Sequence, residues 1–232
     1  AGIHSGDSAC SLPPYSLKKS TVKNIEKQTV IIAKELKVIG LLNIQFAVKK
    51  TENNESIYIV EVNPRASRTV PFVAKATGNQ IAKLAAKCMV GKKLNKKHFL
   101  TWNSKNKIAV KEAVFPFKKF KGVDVLLGPE MKSTGEVMGF DTNFGHAFAK
   151  SQISTGINLP LKGNIFISVK DKDKPFIIDF SKNLISLGFK LICTKGTGNF
   201  LIREGLKIKF VNKAREGRPH IVDMIKNKDI VL

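Results

Sequence analysis

Beyond residue 160, two apolar runs, Asn164–Val169 and Phe189–Cys193, are separated by an amphipathic stretch, Pro175–Leu187. Buried-type runs with a helix between them describe parallel strands joined by a crossover. Such crossovers are right-handed in nearly every case. Earlier in the chain the pattern differs. Leu41–Val48 and Ile57–Asn63 alternate along their length and are joined only by the polar stretch Lys49–Ser56. A short connection of that kind gives an antiparallel hairpin. Two kinds of sheet in one chain imply two domains of mixed α/β character.

The remaining segments fill in around these. Thr21–Ile39 has apolar residues near helical spacing, with Ser20 to cap it and Gly40 to end it. Gln80–Val90 is a second helix, stopped by Gly91. Polar Lys92–Lys107 reads as loop, Ile108–Phe117 as a strand and Phe144–Gln152 as a short helix. Gly122–Gly139 is punctuated by Gly and Pro, and Ser154-Thr155-Gly156 reads as a linker. Short strands are expected at Phe200–Ile202, Lys207–Val211 and Asp229–Leu232, with a helix at Ile221–Lys226.

Composition narrows the function classes. Of 232 residues, 43% are hydrophobic and 25% charged, which excludes wholesale disorder. No apolar run approaches the roughly 20 residues of a membrane span, so no membrane association is expected. Cys10, Cys88 and Cys193 lie far apart, as befits a reducing, cytoplasmic setting. The net charge of +22 invites a nucleic-acid reading, but the lysines are spread along the whole chain. Nucleic acid is therefore disfavoured as a partner, and small phosphate anions held by placed groups are favoured. The opening Ala1-Gly2-Ile3-His4 has neither Met nor a signal peptide, so a piece of a longer protein is expected.

Three constellations carry chemistry. In Glu61-Val62-Asn63-Pro64-Arg65, two oxygen ligands two residues apart on a strand point the same way. Folding the hairpin about its loop brings Gln45 roughly opposite Glu61, with Ile59, Glu61 and Asn63 on one face of their strand. Gln45, Glu61 and Asn63 would then suit a hard cation such as Mg²⁺. Arg65 and Arg68 follow at once and can grip phosphate in a bidentate manner. The same residues also fit a hairpin that simply ends in a solvated turn. Gly2-Ile3-His4-Ser5-Gly6-Asp7-Ser8 is either a plain loop or a backbone cradle for a nucleotide. Thr194-Lys195-Gly196-Thr197-Gly198 stands at the C-terminal end of a strand, where open parallel sheets bind ligands. A tight turn explains it equally well, since it has no Walker spacing. The histidines, His4, His98, His146 and His220, show no metal spacing.

These segments together resemble the large subunit of carbamoyl-phosphate synthase. The resemblance rests on Gly2–Ala9, Leu41–Val48, Glu61–Phe72, Gly128–Gly139 and Glu216–His220, and so covers nearly the whole chain. It implies the fold class: the C-terminal portion of an ATP-grasp domain, then a Rossmann-like parallel-sheet domain of the methylglyoxal-synthase-like kind, incomplete at its end. The implied division is 1–115 for the carbamate-phosphorylating domain, 116–157 for a connecting segment and 158–232 for the regulatory domain.

The resemblance also implies roles. ATP would phosphorylate carbamate, with two Mg²⁺ or Mn²⁺ ions held by Gln45, Glu61 and Asn63. Gln45 and Glu61 would also border the ATP site, which Gly2, Ile3, His4 and Ser5 would line. Arg65 and Arg68 would steady the transferring phosphate or the carbamate. Asp7 and Glu112 match acidic positions near an activator site. Lys174, Thr194, Thr197 and Lys213 match positions that hold a nucleotide or other anionic effector, and Lys195 stands where His is usual. The implied partners are a small glutaminase subunit and the remainder of the large subunit, in an oligomer. With the upstream ATP-gripping half lacking, the chain alone is not expected to be a competent ligase.

Overall fold

The structure, a computed structural model, describes residues 3–52, 54–95, 106–117, 119–120 and 122–232. Gly2, His98 and residues 96–105 of the loop expected over Lys92–Lys107 lie outside the described residues. The chain forms two compact units, Ala1–Asn158 and Leu159–Leu232.

The first unit holds β1 (Cys10–Leu12), α1 (Lys19–Glu35), β2 (Asn43–Lys50), β3 (Glu55–Asn63), α2 (Thr69–Thr77), α3 (Ile81–Met89), β4 (Ile108–Val114), β5 (Gly135–Asp141) and α4 (Phe144–Ser154). Strands β2 and β3 pair as the expected antiparallel hairpin. Helix α1 ends earlier than Gly40 because Lys37 itself turns left-handed, with φ 50°. The Val38 N–H then reaches the Ala33 carbonyl and the Lys37 N–H reaches Lys34, a Schellman closure made without glycine.

Strands β1 and β5 and helix α2 went unrecognised in the sequence. Strands β1 and β5 flank β4 in an antiparallel sheet of order β1-β4-β5. Strand β5 begins within Gly122–Gly139, which the sequence showed only as punctuated by Gly and Pro. Its Gly139 is needed for contact: a Cβ there would stand 1.9 Å from the Ala147 carbonyl oxygen of α4. Ala147 and Ser151 are fully buried at that crossing. Helix α2 covers the other face, where Phe72, Ala76 and Ala109 form a core with Met138 and Phe140. Its signals were present: Pro71 in the first turn, Phe72, Val73 and Ala76 at helical spacing, and Gly78 left-handed at the stop.

The second unit holds β6 (Asn164–Ile167), a 3-10 segment (Asp171–Ile177) running into α5 (Ile178–Ser186), β7 (Lys190–Cys193), α6 (Lys195–Arg203), β8 (Ile208–Phe210) and α7 (Ile221–Lys226). The sheet is parallel, in the order β6-β7-β8. Ile230 bridges Asn164 in parallel, so the terminal segment lies along the free edge of β6. The core gathers Ile165, Ile167, Leu184, Leu191, Cys193, Leu201 and Leu206. The strand expected at Phe200–Ile202 is instead part of α6. Thr197 and Leu201, one helical turn apart, are both buried, and that spacing overrides the short apolar run. Gly198 lets the helix settle on the sheet, since a Cβ would meet the Phe210 ring at 2.6 Å.

Candidate functional site

The hairpin places its polar side chains by register. Gln45 pairs directly with Glu61, and Asn43 with Asn63. Directly paired residues project from the same face of an antiparallel ladder. The register then slips, Phe46 pairing with Ile59, so Val60 is the extra residue of a bulge. Strict alternation therefore fails at this point, and Ile59 moves off the face it was expected to share with Glu61; before the slip alternation holds, and Asn43 shares the face of Gln45, Glu61 and Asn63. Glu61 and Gln45 are exposed and Asn63 is half-buried. The Asn63 Nδ2 atom is buried with no hydrogen-bond partner among the described residues. Such an orphan is costly. Turning the amide over would present Oδ1 at the same point, as an oxygen donor for a cation.

The chain leaves this face through a tight turn, in which the Arg65 N–H donates to the Asn63 carbonyl at 2.8 Å. The Arg65 side chain is exposed and donates to the Ala66 carbonyl. Arg68 immediately precedes α2 and borders a cleft of about 620 Å³, shared with Lys75, Lys111, Glu136 and Ser154. Lys111 is 5% exposed and donates to Glu136 at 3.0 Å. Neither Lys111 nor Glu136 was singled out in the sequence. The available signal was a lysine in mid-strand between buried Val110 and Ala113.

In the N-terminal loop, Ile3 and Ser5 are exposed, whereas His4 is half-buried. Its ring Nδ1 accepts from the Gly6 N–H at 3.0 Å. Asp7 is buried, and its oxygens accept from the backbone N–H groups of Lys132 (2.8 Å) and Ser133 (2.9 Å). Burial pushes its carboxyl up, but the hydrogen bonds from Lys132 and Ser133 outweigh this and hold it below the usual carboxylate value. Glu112 is engaged elsewhere, accepting from Gln152 Nε2 of α4 at 2.7 Å.

In the second unit the start of α6 gathers three expected residues. Thr194 caps the helix, with its hydroxyl 3.0 Å from that of Ser168. The Thr197 hydroxyl accepts from the Val169 N–H. Lys174 Nζ stands 3.6 Å from where a Gly196 Cβ would lie, and it pairs with Asp171 at 2.6 Å. The Lys174 ammonium holds the Asp171 carboxyl below its usual range, with a smaller contribution from the charge of Lys213. Lys213 is exposed, and its backbone N–H donates to Glu216. The stretch read in the sequence as either a ligand-binding strand end or a tight turn is the first turn of a helix, whose free N–H groups favour anions.

Comparison with known proteins bears on both units. Residues 1–97 match a family model described as the carbamoyl-phosphate synthase L chain, ATP binding domain, and residues 176–232 match an MGS-like domain. The carbamoyl phosphate synthase large chain of Ralstonia nicotianae is 52% identical over 232 residues, all of this chain and 22% of the relative. Those of Myxococcus xanthus and Xanthomonas campestris are each 53% identical over the same span, 21% and 22% of their lengths. The chain thus spans about a fifth of the curated relatives it matches. With both family models matched in succession and identity sustained from end to end, the chain belongs to the carbamoyl phosphate synthase large-chain family.

Proposed function

We propose that the first unit supplies the cation- and phosphate-handling end of a domain that phosphorylates carbamate with ATP, yielding carbamoyl phosphate for pyrimidine and arginine synthesis. The observation that carries this is the direct pairing of Gln45 with Glu61, beside Asn63 and its buried, unpartnered amide. Three oxygen donors on one face of the hairpin fit Mg²⁺ or Mn²⁺. Gln45 and Glu61 would hold one ion, and Glu61 and Asn63 a second. When bound, such ions neutralise charge on the phosphates of ATP.

The chain's own groups do the rest by position and charge. Arg65 and Arg68 present guanidinium groups immediately beyond the donor face, suited to phosphoryl oxygens. Arg68, Lys75 and Lys111 make the neighbouring cleft cationic, and Glu136 keeps Lys111 paired within it. That lining suits a small anion such as carbamate. Ile3, His4 and Ser5 would border the nucleotide. In the whole protein we expect the remainder of the large subunit, a glutaminase subunit supplying ammonia, and a cytoplasmic oligomer. The three cysteines are free, and no helix among the described residues is long and apolar enough to cross a membrane. The test is Glu61→Ala in the complete large subunit, with metal-dependent turnover and circular dichroism measured together. Turnover should collapse while the fold persists; near-normal turnover would sink the reading.

A second reading concerns the other unit: an effector domain binding a phosphorylated ligand. It is favoured by Lys174 Nζ lying against the first turn of α6, beside Thr194 and Thr197. Calorimetry of the complete subunit with a nucleoside monophosphate tests it. Unchanged affinity in Lys213→Ala and Lys174→Ala would remove it.

A further inference from the structure

Asp7 and Ser133 lie 126 positions apart in sequence, yet they meet in one buried network. The Asp7 carboxylate takes the N–H groups of Lys132 and Ser133. The Ser133 hydroxyl returns a bond to the Gly6 carbonyl at 3.1 Å. The Gly6 N–H donates to His4 Nδ1, and the His4 N–H donates to the Gly128 carbonyl at 2.9 Å. Gly6 is pressed so closely that a Cβ would stand 2.9 Å from Met131 Sδ. Residues 4–7 are therefore clasped along residues 128–133 at both ends and in the middle. Asp7 is buried with each carboxylate oxygen on a backbone N–H, so it ties residues 4–7 to the segment that supplies those groups.

We infer that Asp7 is a positioning residue for the nucleotide loop: through Ser133 and Gly6 it fixes the backbone of Ile3, His4 and Ser5 against the segment Gly128–Ser133. This rests on the reading that Ile3–Ser5 border the nucleotide. Asp7 and Ser133 are buried within the clasp and act on the nucleotide only through the loop. The network fixes a loop whose exposed groups, Ile3 and Ser5, stand just outside it. Preorganising such a loop lowers the cost of binding, so loosening it is felt as weaker nucleotide binding and much less in the chemical step.

The experiment uses the complete large subunit. Asp7→Asn and Ser133→Ala are compared with the parent for KM of ATP, for kcat and, by calorimetry, for ADP affinity. We expect KM to rise about three- to tenfold in both, with ADP affinity weakening in step and kcat falling less than about twofold. Ser133→Ala removes only one hydroxyl and keeps the test alive if Asp7→Asn folds poorly. Ser5→Trp tests the underlying reading by placing bulk on the exposed part of the loop. If Ser5→Trp leaves ADP affinity unchanged, the nucleotide assignment fails and the inference with it. If Ser5→Trp weakens ADP binding while Asp7→Asn and Ser133→Ala do not, the assignment stands and the positioning role is overturned. A third result also overturns it: Asp7→Asn abolishing the response to an activator with KM for ATP unmoved, since Asp7 would then act as a direct activator ligand.

Discussion

Gln45 faces Glu61 across the β2–β3 ladder at the last pair before the register slips. The bulge at Val60 increases local twist and ends strict alternation along β3. Glu61 is exposed and carries no structural hydrogen bond among those described for the hairpin side chains. Glu61→Ala should therefore cost little stability, within about 0.5 kcal/mol. Metal-dependent turnover should fall by about a hundredfold or more. Denaturant melts and metal titrations of the same variant check both halves.

Packing at Gly139 makes a stability prediction. With a Cβ 1.9 Å from the Ala147 carbonyl and 2.6 Å from the Ser151 nitrogen, neither neighbour can yield as a flexible side chain would. Gly139→Ala should destabilise the first unit by about 3 kcal/mol or more. A urea melt showing a loss under 1 kcal/mol would contradict the close crossing of β5 and α4.

The Asp7 network has a pH signature. The folded carboxyl lies below its ordinary value of 3.8, so the folded state favours the ionised form. Its contribution is fully present above that ordinary value and is lost as pH falls through the lower folded value. Wild type should then lose stability more steeply than Asp7→Asn in denaturant melts stepped downward from pH 5. Parallel curves would mean that the two N–H bonds do not favour the charged form.

At α6 the Asp171 carboxylate occupies the ammonium that a phosphate would seek. Lys174→Ala should weaken inorganic phosphate binding to the complete subunit, and Asp171→Asn should strengthen it by about two- to fivefold at low salt. Asp173→Asn, an equal charge change away from that ion pair, is the control. An equal gain there would point to bulk electrostatics alone.

Cys193 is fully buried, and burial pushes its thiol up to about 11. It should resist a thiol reagent at pH 8 in the folded protein and react once denaturant opens the second unit. Immediate labelling of Cys193 under native conditions would contradict the burial of β7.

Much of the hairpin was legible because its information is local. Alternation along Leu41–Val48 and Ile57–Asn63 needs only neighbouring residues, and pairing followed from a short loop. Helix Ile221–Lys226 was legible for the same reason, and its His220–Asp223 capping box closes within one turn. The strand misassigned at Phe200–Ile202 shows the limit: three apolar-leaning residues fit either period, and packing on β7 and β8 chose the helix. Strand β5 was hidden because Gly139 looks like a breaker until the α4 backbone that needs its space is seen.

The donor set on the hairpin, the parallel crossover of the second unit and the resemblance to large synthase chains were determined by the sequence alone, since spacing and residue type carry them. Only the tertiary structure decided that Lys111 is paired to Glu136 inside a cleft with Arg68, and that Asp7 is bound to the backbone at Lys132 and Ser133. Those contacts join residues 25 and 125 or more positions apart. Charge and hydrogen-bond satisfaction at such range depend on which surfaces the folded chain removes from water.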